Sequence, residues 1–504
     1  MLKQARSLAL LLLVTVPLEA QQRQPADSVR PAPPAAMGPE QPPVVTRHQI
    51  TVRGAILKYT VTTGMMPVKN EQGVTEGQIF FMAYTLDGVE PGSRPLMFSF
   101  NGGPGSSSVW LHLGALGPRR VRMDDEGWMP AAPYRLVDNE HTWLEFTDLV
   151  FIDPIGTGYS RAATQELGRK FWSFRGDVES VGQFIRLYLS RHERWSSPLF
   201  LVGESYGTTR AAGLSRWLVD HGIGLNGVVL VSTILNFQTA RFGTGNDLPF
   251  ALFVPLYTAT AWYHQRLERE FQADLRRTLA QAERWVDNEY TLALQKGDGL
   301  TAEERRRTAE QLARFTGLSR EFVERYNLRI SLGVFQKELL RDQGRTVGRL
   351  DSRFTGWDAV AGGDNPEFDP SMTAIRPPYT ATFNDYVRRE LGYKSDLEYY
   401  ILGGGIGPWT YESDNAFADI AEQLRSAWAR NPHMRLFVAY GYYDGATPYY
   451  AADYTLRHMR LPAEIRSRIS TGYYEAGHMM YIQVPSLQKL TSDVRGFVRT
   501  ATTR

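Results

Sequence analysis

Cysteine is absent from all 504 residues. Its absence excludes disulfides, thiolate nucleophiles, iron–sulfur clusters and Cys-ligated zinc, whatever compartment the chain occupies. A surplus of one charge is missing too: 56 Lys and Arg face 54 Asp and Glu, a net charge of +2. That balance offers no general electrostatic attraction for nucleic acid or for an anionic membrane. The apolar run from Leu8 to Val16 is too short to span a bilayer comfortably. With Lys3 and Arg6 ahead of it and Pro17 and Ala20 behind, it has the charged, greasy, then cleavable order of a secretory signal over 1–20. The chain is therefore expected to be exported, to a periplasm or outside the cell, without stable membrane insertion. Nine histidines occur with no H-E-x-x-H among them, which leaves a histidine metal site poorly supported.

What is present suits a large folded unit. Hydrophobic residues make up 43% and charged ones 22%, enough for a sizeable core. The length fits one large α/β domain carrying an insertion. Residues 21–45 are rich in Pro, Ala and Gln and read as a linker. From 46 to 86 apolar residues alternate (Ile50/Val52, Leu57/Tyr59/Val61, Phe80/Met82/Tyr84), the period of half-buried strands. Short continuous apolar runs follow at 95–100, 148–152, 198–202, 227–231 and 435–439. Bounded by Gly, Pro and Asp, they fit strands buried on both faces of a mostly parallel sheet. Helical spacing lies between some of them, as in Val178, Val181, Phe184/Ile185 and Tyr188. This alternation implies a doubly wound α/β sheet. Between about 241 and 400 the rhythm stops. Residues 264–295 and 301–326 are Arg-, Glu-, Leu- and Ala-rich without Pro, which predicts long helices. A polar, Gly-rich stretch over 348–370 follows. The block reads as a largely helical lid insertion that divides the core into 46–240 and 401–504. Within it, 312–326 has the look of a DNA-reading helix–turn–helix, but the charge balance and signal favour two ordinary packed helices.

The sharpest chemical signal is Gly203-Glu204-Ser205-Tyr206-Gly207, a G-x-S-x-G pattern between a predicted strand (PLFLV) and a predicted helix (TTRAAGLSRWL). A serine raised on a tight strand-to-helix turn needs small neighbours two positions either side. Ser205 is thus the candidate nucleophile, and it requires a base and an orienting carboxylate. Of the later histidines, His221 ends the helix after the turn, His264 lies in the insertion, His433 precedes a strand and His458 falls in a helical run. That leaves His478, in TGYYEAGHMMY. Asp444 stands just past the end of the 435–439 strand, where ligands gather in open α/β sheets, with Asp453 as runner-up. The loop FNGGPGSSS (100–108) follows a strand and offers bare N–H groups to a developing oxyanion; no phosphate-binding glycine pattern occurs there. Trp409, Tyr442 and Tyr443 either line the cleft or pack at the sheet edge.

Five segments, FNGGPGSSS, FIDPIGTGYS, VGESYGTTRAAGLS, GYYDGATPYYAADY and YEAGHMMYIQVP, together resemble the serine carboxypeptidase family, peptidase family S10. The resemblance covers about 46–240 and 400–495, with the motifs in family order. It implies an α/β-hydrolase fold, peptide substrates, no cofactor, and release of C-terminal residues through an acyl-enzyme. By position it makes Ser205 the nucleophile, His478 the general base and then acid, and Asp444 the orienting carboxylate. Gly103 and Tyr206 would supply the oxyanion-hole N–H groups, and Asn101 and Glu204 would bind the substrate's terminal carboxylate. An esterase or acyltransferase using the same triad is the alternative, since the acceptor alone decides. Three positions depart from the family: Ala115 and Ser99 stand where a second glutamate and a tryptophan assist the carboxylate subsite, and Ser106 replaces a cysteine. With one glutamate instead of a coupled pair, the family's acidic preference is expected to relax.

Overall fold

A computed structural model of the chain describes residues 40–503; the expected signal segment and the linker up to residue 39 lie outside the described residues. Three strands, β1 (Val44–Val52), β2 (Ala55–Lys69) and β3 (Thr75–Leu86), pair antiparallel in sequence order. The continuous apolar runs form β4 (Leu96–Phe100), β5 (Asp148–Asp153), β6 (Leu199–Ser205), β7 (Gly227–Thr233) and β8 (Arg435–Gly441), followed by β9 (Ile469–Tyr474). All belong to one sheet in the order β1-β2-β3-β5-β4-β6-β7-β8-β9, parallel from β5 to β9, with the short strand Arg161–Ala162 added beside β3.

Because successive side chains on a strand point to opposite faces, each buried run feeds two cores. Phe98, Ile152, Leu201, Leu230 and Val438 join one apolar cluster, covered by α1 (Phe174–Arg191) and α2 (Tyr206–Asp220). Met97, Phe151, Phe200, Val229 and Phe437 join the other. Both faces are dry, which is why these runs show no polar alternation.

The 241–400 block, inserted between β7 and β8, divides between the two layers. The long helix expected over 264–295 is broken into Arg269–Gln272, α3 (Leu275–Trp285) and further turns to Lys296. Asp274 starts α3 by accepting the Arg277 N–H at 2.9 Å, a cap that charge and periodicity did not signal. The second expected helix begins at α4 (Ala302–Thr316) with a capping box from Thr301 and Glu304, and ends at Gly317, where φ is 69°. Only Arg320–Arg325 continues beyond it, and Leu312, Phe315, Phe322 and Val323 are buried in the first cluster. The packed-helix reading therefore accounts for 312–326. The last part of the block, α5 (Pro370–Arg389), instead buries Ile375, Tyr379, Phe383 and Tyr386 in the second cluster, to which α6 (Val484–Thr502) also contributes.

Strand order reverses at β4: the chain steps from β4 to β5 on one side, then to β6 on the other. Loops after β4 and β6 diverge at such a point and leave a crevice at the carboxyl ends of the strands.

Candidate active site

Ser205 ends β6 and precedes α2, with φ 60° and ψ −130°, a sparsely populated backbone. The flanking glycines explain how the turn closes. A Cβ on Gly203 would lie 2.1 Å from the Gly207 carbonyl oxygen, and one on Gly207 would lie 2.9 Å from that of Phe100. No side chain could be accommodated without moving backbone.

Asp444 is fully buried just past β8. Its Oδ1 accepts the N–H groups of Ala446 (2.8 Å) and Thr447 (3.0 Å), and its Oδ2 accepts the Thr447 hydroxyl (2.7 Å). Oδ2 also accepts from His478 Nδ1 at 2.8 Å. A carboxylate can only accept, so Nδ1 carries the proton and Nε2 is left basic. Burial pulls the His478 pKa down, but the Asp444 charge and hydrogen bond, with Glu204 beyond, outweigh it and raise it above 6.5. Asp453, the runner-up acid, accepts the Tyr473 hydroxyl at 2.7 Å, away from His478.

Ser205 and His478 open on one cleft of about 650 Å³, lined also by Gly103, Asn101, Glu204 and Tyr206. The loop after β4 lies against the start of α2: a Cβ on Gly102 would be 2.4 Å from the Tyr206 nitrogen. Tyr206 is the first residue of α2, and the first N–H groups of a helix lack intrahelical acceptors. Gly103, with φ 100°, turns the loop there.

Glu204 is 3% exposed. Its Oε1 accepts from Asn101 Nδ2 at 2.9 Å and its Oε2 from the Tyr481 hydroxyl at 2.5 Å. Burial pushes its pKa up to about 7, against the opposing pull of His478 and those donors. Asn101 is itself fixed, its Oδ1 accepting the Leu111 N–H (3.0 Å) and its carbonyl the Arg210 guanidinium (2.6 Å). Arg210 pairs with buried Asp177 at 2.8 Å, and Asp177 also accepts the Tyr206 hydroxyl at 2.9 Å.

The residues 55–491 match the sequence pattern of the serine carboxypeptidase family. The chain belongs to that family. Its α/β-hydrolase fold is the sheet order described above. Among similar proteins, "Serine carboxypeptidase-like 5" of Arabidopsis thaliana is 30% identical over 153 residues, 30% of this chain and 33% of that one. The "Pheromone-processing carboxypeptidase kex1" of Talaromyces marneffei is 30% identical over 155 residues, 29% of this chain and 22% of the relative. The matched stretch thus spans about a third or less of the length of these curated relatives. Solved structures similar to this chain include a thermostable carboxyl esterase from Bacillus coagulans (11% identity, TM-score 0.35, 88% of this chain and 99% of that one). A soluble variant of monoglyceride lipase from Saccharomyces cerevisiae is another (11% identity, TM-score 0.35, 87% and 96%).

Against that family background, the departures acquire a structural context. Ala115 is buried in the turn His112–Leu116, and a Cβ on neighbouring Gly114 would strike the Tyr481 ring at 2.4 Å and the Tyr379 hydroxyl at 2.6 Å. Two tyrosines crowd the neighbourhood of Ala115, and one of them holds Glu204. Ser99 is fully buried. Ser106 accepts from Trp110 Nε1 at 2.8 Å. Tyr481, Arg241 and Arg349 also belong to the site or its cleft, and nothing in the sequence marked them individually; Tyr481 lies three residues after His478, within the segment YEAGHMMYIQVP. Trp409, Tyr442 and Tyr443 are packing residues: Trp409 meets the Tyr206 ring at 5.2 Å, Tyr442 meets Tyr473 at 5.7 Å, and Tyr443 meets Tyr263 at 5.4 Å. Among the described residues no three His, Asp or Glu side chains form a metal-holding cluster, and no helix is long and apolar enough to cross a membrane.

Proposed function

We propose that this chain is a serine carboxypeptidase that removes residues from the C-termini of peptides, exported by the signal at 1–20 to a periplasm or the cell exterior. The observation that carries the reading is the buried Asp444–His478 hydrogen bond of 2.8 Å, on the cleft that Ser205 enters from its strained turn. Ser205 Oγ attacks the last peptide carbonyl while His478 Nε2 takes its proton, then gives that proton to the leaving amine. Water, deprotonated by the same imidazole, hydrolyses the ester and restores Ser205. The Asp444 carboxylate stabilises the imidazolium that forms. The N–H groups of Gly103 and Tyr206 receive the oxyanion of each tetrahedral intermediate. Asn101 and Glu204 hold the terminal carboxylate, with Glu204 protonated so that it donates rather than repels. The lid insertion, with Leu332 and Arg349 on the cleft, supplies part of the substrate pockets.

The second reading, an esterase or acyltransferase, is favoured by one observation: both Glu204 oxygens already accept a hydrogen bond. One comparison separates the two. Mass spectrometry of a defined peptide mixture shows, for a carboxypeptidase, single residues leaving from free C-termini while C-terminal amides persist. Equal loss of acid, amide and simple ester refutes C-terminal recognition.

A further inference from the structure

Residues 349–353, in the Gly-rich stretch of the insertion, are bonded to both loops that hold the proposed acid and base. The Arg349 carbonyl accepts the Gly445 N–H at 3.0 Å, and the Tyr443 carbonyl accepts the Ser352 N–H at 2.9 Å, one on each side of Asp444. The Leu350 carbonyl accepts the His478 N–H at 2.6 Å. The Asp351 carboxylate accepts the N–H of Gly477 at 3.0 Å. Gly477 is what permits this approach, since a Cβ there would lie 2.4 Å from Asp351 Cβ.

Asp351 is gripped in turn by Arg353, whose Nη2 donates to Oδ2 at 2.7 Å and whose Nε donates to Oδ1 at 3.0 Å. Both side chains are nearly inaccessible, 3% and 1% exposed. Beyond them, Arg353 lies 3.4 Å from Glu126, and Glu126 accepts from Gln483, five residues after His478, at 2.9 Å. A buried ion pair is costly to desolvate and adds little net stability over apolar packing of the same volume. Here its carboxylate satisfies a buried N–H immediately beside the proposed base, and neither member belongs to the triad.

We propose that Asp351 and Arg353 are positioning residues, an ion pair that fixes the Gly477–His478 backbone and thereby the alignment of His478 on Asp444 and Ser205. The inference rests on the triad proposed above. The charged groups acting on the His478 ring are Asp444, Glu204 and Arg349; Asp351 acts on the backbone that carries it. Loosening that backbone weakens the Asp444–His478 bond, so less opposes the downward pull of burial.

The test is the pH dependence of the rate at which a fluorophosphonate labels Ser205 in the full-length protein, a readout independent of the natural leaving group. For Asp351→Asn, labelling is expected to slow about tenfold or more, with the acid limb of the profile displaced to lower pH. Near-UV circular dichroism establishes that the variant is folded. Should it fail to fold, Arg353→Lys and Glu126→Gln read the same network, with smaller slowing and the same direction of displacement. Folded variants that label at the wild-type rate, or more slowly with an unmoved limb, overturn the proposal. Wild-type protein that resists labelling removes the triad itself, and the positioning role with it; a labelled enzyme inactive on peptides removes only the carboxypeptidase reading.

Discussion

Ser205 and Glu204 are adjacent in sequence yet carry opposite burdens. Replacing Ser205 by Ala removes the attacking oxygen and leaves the turn intact, since alanine meets the same backbone restriction. Turnover is expected to fall by several orders of magnitude, with the urea unfolding midpoint unchanged within error. Glu204 is a titration problem. Its pKa of about 7 in the folded chain lies above the ordinary 4.5, because burial penalises the charge. The folded state therefore holds this proton more tightly than the unfolded one. The stabilisation is complete below pH 4.5 and is lost as pH rises through 7. Glu204→Gln has no proton to lose, so its stability relative to wild type is expected to improve between pH 5 and pH 8 by about 1–3 kcal/mol, read from urea unfolding at the two pH values. On the proposed carboxylate-binding role, the same proton would control recognition. KM for free-acid peptides is expected to climb above pH 7 in the wild type and to lose that dependence in Glu204→Gln, while KM for amides stays flat in both. On the proposed mechanism, the rate is expected to fall at acid pH as His478 gains its proton, its pKa held above 6.5 by Asp444.

At the level of elements, the turn between β6 and α2 depends on close backbone approach more than on side-chain contacts. Gly207→Ala would thrust a methyl within 3 Å of the Phe100 and Asn101 carbonyl oxygens, so a loss of about 2–4 kcal/mol is expected in denaturant unfolding, with labelling of Ser205 slowed even where the fold survives. The Asp177–Arg210 pair joins α1 to α2 and holds the Asn101 carbonyl at the end of β4. Arg210→Met strands a buried carboxylate, and a cost of about 3–5 kcal/mol is expected by the same measurement. These elements also mark where sequence suffices. Strands β4 to β8 were legible because two-sided burial leaves an unbroken apolar run, and the turn at Ser205 because its glycines are sterically required. The 264–295 region was not, because Asp274 starts a new helix there through a single side-chain hydrogen bond that leaves composition unaltered. The contacts of Tyr481 and Asp351 were equally silent, although Tyr481 stands in one of the quoted motif segments. Each acts through one contact with a residue far away in sequence, and pattern reading detects periodicity and local spacing, not such pairings.

Over the whole molecule, cohesion comes from two apolar clusters on either face of one sheet, with no covalent cross-link. The melting temperature is accordingly expected to be unchanged by millimolar thiol reductant, as differential scanning calorimetry would show; a drop would contradict a fold sustained by packing alone. The insertion adds to both clusters, through Phe315 on one side and Phe383 on the other. It is therefore part of the core's cohesion, not a detachable cover, and excising 241–400 is expected to yield insoluble protein. The last two strands of the sheet to appear in the sequence precede the proposed acid and base. Asp444 and His478 follow β8 and β9, which join the sheet only after β7 and the entire insertion. Synthesis runs from the N-terminus, so a growing polypeptide exposes Ser205 long before any imidazole can reach it. On the proposed mechanism, nascent chains and products terminated before His478 are inert, and the cell that makes this hydrolase is shielded from it until that residue has been added.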